Sequence, residues 1–114
     1  MIAVIFEAIP EKGKWDEYID IASKLRPELE TIDGFISVER FQSIANPEKV
    51  LSLSFWRDEE SVRQWRNLET HRVAQHQGRT SIFNDYRLRV ASVIRDYGMN
   101  ERSQAPADSQ SFHK

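Results

Sequence analysis

The chain has 114 residues, 39% of them hydrophobic and 30% charged, with a net charge of -2. That length makes one domain with room for a core, and the near-neutral charge gives no electrostatic footprint for nucleic acid. Cysteine is absent, which excludes disulfides, thiolate metal sites and a cysteine nucleophile. No apolar run approaches the roughly 18 residues that a membrane span needs.

Residues 2–9, IAVIFEAI, are rich in β-branched side chains and end at Pro10, which predicts a buried strand. The segment lacks a basic flank and a small-residue cleavage site, so it reads as a strand rather than a signal peptide, and a cytoplasmic protein is expected. In residues 14–32, Trp15, Tyr18, Ala22, Leu25, Leu29 and Ile32 recur at three-and-four spacing and predict an amphipathic helix. Pro27 lies inside this pattern and is expected to kink or divide the helix. Asp33-Gly34 closes it, with Gly34 as a left-handed C-cap.

Residues 35–45 alternate imperfectly, with Phe35, Ser37, Glu39 and Phe41 on one side. Asn46-Pro47-Glu48 makes a turn, and residues 49–57 form the second arm of a hairpin. There Leu51, Leu53 and Phe55 oppose Val50, Ser52, Ser54 and Trp56.

Residues 58–83 predict a long helix capped by Asp58, with Gly78 weakening it. Val62, Trp65, Leu68 and Val73 make its apolar stripe, and Glu69, Arg72 and His76 fall within the same stripe at helix-neighbour spacing. Three ionisable groups on a core-facing stripe must pair with one another or face a cavity. His71 lies nearly opposite the stripe. Residues 85–97 form the last strand, with Tyr86, Leu88, Val90 and Ile94 on one face and Arg87, Arg89, Val93 and Arg95 on the other. The tail after Gly98 is polar and aperiodic, and is expected to be extended or disordered in isolation.

The order β-α-β-β-α-β is the ferredoxin-like arrangement, an α+β fold with a four-stranded antiparallel sheet and both helices on one side. Apolar residues on both faces of the strands call for a second cover. A homodimer joined sheet to sheet is the expected one.

Three stretches carry a resemblance: LRPELETIDGFISVERF, LSLSFWRDEESVRQWRNLETHRVAQHQGR and RLRVASVIRDYG. Together they resemble the antibiotic biosynthesis monooxygenase family of dimeric α+β barrels, over residues 1–98, leaving 99–114 as a tail. The family includes cofactor-free oxygenases of polycyclic phenols, heme-degrading monooxygenases and enzymes handling a quorum-signal sugar derivative. The heme-degrading branch uses a strand-one Asn, a helix Trp and a helix His. Trp65 and His76 match the last two, but residues 4–8 read Val-Ile-Phe-Glu-Ala and hold no Asn. The phenol-oxidising branch uses a helix Trp, a last-strand Arg and a second-helix Asn, for which Trp65, Arg87 or Arg89, and Asn67 are the matches.

These residues lead to a small cofactor-independent monooxygenase acting on a phenolic or enolisable small molecule, aromatic ones included. Its pocket is expected between the sheet and the second helix. His76 would be the base, Arg72 would hold a charged oxygen, and Trp65 would stack on the ring. Glu69, Trp56, Tyr86 and Arg87 would contact substrate. The alternative is a non-redox binding protein or isomerase on the same scaffold, with Glu69, Arg72 and His76 closing a structural network. No metal or other cofactor is expected: the chain has three histidines and four glycines, without ligand spacing or a phosphate loop.

Overall fold

The structure is a computed structural model that describes the backbone of residues 1–76 and 82–112 and the side chains of residues 1–68 and 82–109. The elements run β1 (Ile2–Pro10), α1 (Trp15–Leu29), β2 (Phe35–Gln42), β3 (Val50–Trp56), α2 (Glu59–His76), β4 (Phe83–Ser92) and α3 (Ala107–Phe112). The sheet order is β2-β3-β1-β4 with every neighbouring pair antiparallel. This is the ferredoxin-like fold expected from the sequence. Of its two inner strands, β3 and β1, β1 carries the longest apolar run of the chain.

Pro27 does not divide α1: the helix runs from Trp15 to Leu29. Gly34 has the left-handed φ of +95° but stands in a separate turn beyond the helix, whose C-cap is Glu30. Both β2 and β4 are shorter at their far ends than the alternation predicts.

Strand alternation sends the even positions of β1 and β3 toward the helices. Two irregularities redirect aromatic side chains to that same side. Phe35 pairs with Trp56 and Ser37 with Phe55, so Ile36 is skipped. Pro10 pairs with Phe83 and Ile9 with Asp85, so Asn84 is skipped. A bulge of this kind shifts the side-chain phase by one residue, and Phe35 thereby joins the helix-side core rather than the face of Phe41.

That core has two parts. Val4, Leu29, Val38, Trp56 and Val62 form one, with Ile2, Ile32, Phe35 and Trp65 packed against it. Ala8, Tyr18 and Val50 form the other, with Phe6, Trp15, Ile82 and Phe83 against it. Trp56 is wholly buried, and its indole N–H donates to Ser54 Oγ at 2.9 Å. This answers the one polar demand that the ring brings inside.

Beyond β4 the chain is more ordered than its polar composition predicts. Val93 N donates to Met1 O, and then Arg102 gathers the tail. Its guanidinium donates to Gly98 O at 2.9 Å and Ser109 Oγ at 3.0 Å and lies 5.3 Å from the Tyr97 ring centre. One planar cation with several donors fixes a loop that has almost no apolar residues to bury. The protein extends 56 × 34 × 20 Å.

Candidate functional site

The helix side of the sheet is where a site can form, and its strand residues are read from the register. β1 offers Ile2, Val4, Phe6 and Ala8, facing Trp56, Ser54, Ser52 and Val50 of β3. On its other flank these β1 residues face Ser92, Val90, Leu88 and Tyr86 of β4. None of these twelve side chains is charged.

The two flanks are covered unequally. Against β3, Val4, Val50 and Trp56 are buried beneath the helices. On β4, Tyr86, Leu88 and Val90 remain 60%, 43% and 45% exposed. Helix α2 follows closely from β3, with only Arg57 and Asp58 between Trp56 and its first residue, and packs Val62 and Trp65 into the core beside it. The apolar strip along β4 is therefore left open as a floor.

Aromatic groups stand at both ends of the site. At one end Trp65 lies against Trp56, ring centres 5.9 Å apart and tilted by 42°, and Phe35 meets Trp56 edge-on at 5.2 Å. At the other end Phe6 lies 5.5 Å from both Phe83 and Tyr86. Phe83 also contacts Tyr86 at 5.8 Å and Tyr18 at 5.6 Å. Edge-on and tilted contacts at these separations are the favourable arrangements for aromatic rings.

Of the residues singled out in the sequence, Trp65, Trp56 and Tyr86 come to this side. Trp56 is 0% exposed, so it backs Trp65 rather than presenting a surface. Arg87 is placed on the opposite face of the sheet, in register with Glu7. Arg89 shares that face and donates to Glu7 Oε2 at 3.3 Å, while Lys49 lies 3.4 Å from the same oxygen. The hydrogen bond from Arg89 and the nearby Lys49 charge hold the Glu7 carboxyl below its ordinary range. The helical backbone of α2 reaches His76, so positions 69, 72 and 76 follow one another along it at one-turn spacing. The side chains of Glu69, Arg72 and His76 lie outside the described residues.

Phe6, Leu88, Val90 and Phe83 were not singled out as site residues. Period-two alternation with Tyr86 does signal Leu88 and Val90. Phe83 carries no such signal, because its orientation depends on the skipped Asn84. On strand one the helix side receives Val4, Phe6 and Ala8, which bring no hydrogen-bonding side chain. This set does not fit the heme-degrading arrangement. Among the described residues, no group of three or more His, Asp or Glu is placed to hold a metal ion, and no helix is long and apolar enough to cross a membrane.

Comparison with known proteins adds a second line of observation. The family model described as antibiotic biosynthesis monooxygenase matches residues 1–77. The chain is 50% identical over 101 residues to Jasmonate monooxygenase ABM of Pyricularia oryzae. That match covers 89% of this chain and 47% of the relative, so the chain spans about half the relative's length. It is 26% identical over 93 residues to the uncharacterized protein YqjZ of Bacillus subtilis, covering 82% of this chain and 79% of that protein. The solved structure of Rv0793 from Mycobacterium tuberculosis superposes with a TM-score of 0.71 at 13% identity, covering 85% of this chain and 98% of that one. At such identity the likeness speaks for the fold alone.

Proposed function

The chain belongs to the antibiotic biosynthesis monooxygenase family, and from that premise we propose that it is a small cofactor-independent monooxygenase for a phenolic or enolisable substrate. The observation that carries this reading is the open apolar floor of Tyr86, Leu88 and Val90 on the helix side of a sheet that is otherwise well covered there. A floor without charge suits the body of an apolar ring compound. It leaves the polar chemistry to α2, where Glu69, Arg72 and His76 stand in sequence.

In this mechanism His76 takes the proton of a phenol O–H or of the carbon beside a ketone. The anion passes one electron to dioxygen, and the resulting radical and superoxide combine into a peroxide. Arg72 balances the negative oxygen through these steps. Loss of water from the protonated peroxide leaves a new carbonyl. The substrate supplies both electrons that reduce the second oxygen atom, so no outside reductant enters the balance. Trp65 forms the wall on which the ring stacks, and Glu69 orients Arg72.

The name of the Pyricularia relative brings cyclopentanone carboxylic acids into the substrate range, since jasmonate is an enolisable ketone of that kind. Among the strand residues on the helix side the cation is Arg40 of β2, in register with Ser52 and at the opposite edge of the sheet from β4, so a carboxylate on the floor would rely on Arg72. We further propose that the protein acts as a homodimer joined through the opposite face of the sheet. Ala3, Ile5, Leu53, Phe55 and Ala91 make an apolar band there.

The test is oxygen uptake by the purified protein with naphthols, hydroxyquinones and cyclopentanone acids. The expected result is turnover with at least one class, reduced about 100-fold or more by His76→Ala and severely by Trp65→Ala. Failure to consume oxygen with any of them overturns the oxygenase reading.

A further inference from the structure

The register places Leu88 directly beside Phe6, yet the Phe6 ring does not lie over it. Its centre stands 5.5 Å from Phe83 and 5.5 Å from Tyr86, and Leu88 stays 43% exposed. The ring is therefore turned toward the Pro10–Phe83 end of the sheet. Phe83 holds it there edge-on, and Tyr18 of α1 packs against Phe83 in turn. The skipped Asn84 is what brings Phe83 round to serve as this buttress.

We infer that Phe6 is the length gate of the substrate site: it ends the apolar floor and so sets how far a substrate can extend along β4. This rests on the reading of the helix-side groove as the substrate pocket. The floor from Tyr86 to Val90 spans four strand steps, or about 13 Å. Phe6 and Tyr86 close it at one end. At the other end the Trp56–Trp65 pair belongs to the neighbouring core cluster. The space between suits one or two fused rings, or a single ring with a short alkyl tail. Longer tails meet the Phe6 ring, which is held edge-on against Phe83. Phe6 touches the unreactive end of the substrate, so it governs which substrate fits and takes no part in the proton or electron steps.

The experiment uses a homologous series of 2-alkylcyclopentanones, from ethyl to octyl, titrated against the full chain and followed by tryptophan fluorescence. Wild-type protein should gain affinity with each methylene, by up to about fourfold apiece, and then lose it abruptly once the tail reaches the gate. Phe6→Leu should move that break to longer tails by at least one methylene, and Phe6→Ala by more. Leu88→Phe, which narrows the floor from its other side, should move the break to shorter tails and guards against a poorly folded Phe6→Ala.

If the series binds but every variant keeps the wild-type break, the gate is overturned while the pocket stands. If wild-type protein binds no member of the series, the pocket itself fails and the gate with it. Oxygen uptake is read separately, so binding with a movable break but no turnover supports the gate and counts against the oxygenase chemistry alone.

Discussion

Ser61 fastens the start of α2 to Asp58: its backbone N–H donates to Asp58 Oδ1 at 2.9 Å, and its hydroxyl lies 2.7 Å from the same oxygen. The hydroxyl is also 2.9 Å from the Asp33 carbonyl oxygen, so one buried serine joins the turn before β2 to the first turn of α2. Arg57 closes the cluster from outside, donating to Asp33 at 3.1 and 3.2 Å and to Asp58 at 3.2 Å. The cluster anchors the end of α2 that carries Trp65 over Trp56.

Asp58 should give the protein an acid-sensitive step. The Ser61 backbone hydrogen bond, then the Ser61 hydroxyl and Arg57, lower its carboxyl from 3.8 to about 2. A carboxyl depressed in the folded state contributes stability that is complete above its unfolded value. That stability is lost as the pH falls from there through about 2. The urea midpoint of the wild-type protein should fall across this window. Asp58→Asn keeps an N-cap acceptor but does not titrate, so its midpoint should fall less steeply. Asp58→Ala loses the cap as well and should melt roughly 5 °C lower at neutral pH.

Gly34 and Gly13 separate two costs that are usually mixed. Both have positive φ, +95° and +82°. A Cβ at Gly13 meets nothing within 4 Å, whereas one at Gly34 overlaps Ser61 Oγ and stands 2.9 Å from Ser61 Cβ. Gly13→Ala should cost only the backbone strain, about 1–2 kcal/mol. Gly34→Ala adds overpacking of about 1–3 kcal/mol and disturbs the Asp58–Ser61 cap. Chemical denaturation of the two variants should rank them in that order, and equal losses would mean that Ser61 can move aside.

The sequence patterns carried the element order, the helix-side phase of β3 and the shared face of Tyr86, Leu88 and Val90, because each follows from an uninterrupted period. They did not carry Phe35 and Phe83. Phe35 is turned by the skipped Ile36, and a bulge leaves no trace in composition or periodicity. Phe83, expected at the end of the long helix, instead opens β4 and is turned by the skipped Asn84. The hydrogen bonds of the tail are not legible for a related reason. Its order comes from the donors of Arg102 rather than from buried apolar surface, and a lone arginine has no pattern. The proposed chemical end of the site is legible only as the spacing of Glu69, Arg72 and His76 along α2.

Arg102 should therefore matter to the tail and little to the rest. Removing the guanidinium frees Gly98 O and Ser109 Oγ and takes away the cation over Tyr97. In Arg102→Ala the amides of Gly98 and Ala105, which now donate to Glu101 O and Arg102 O, should exchange with deuterium about tenfold faster. The β1 amides should keep their protection, and the melting temperature should shift little. Unchanged exchange in the tail would show that another contact holds it.

The apolar band opposite the helices yields the last prediction. Leu53 sits at its centre, between Ile5 of β1 and Glu39 of β2. Lysine at this position stands across from Glu39 and makes a favourable cross-strand pair, so Leu53→Lys is tolerated in a lone subunit. Across a two-fold interface the same substitution buries two like charges, because every contact occurs twice. Sedimentation at micromolar concentration should show wild-type protein as a dimer and Leu53→Lys as a monomer with similar circular dichroism, its association weakened about 100-fold or more. A wild-type protein that sediments as a monomer, or a variant that still pairs, would mean that something other than a second copy meets this face.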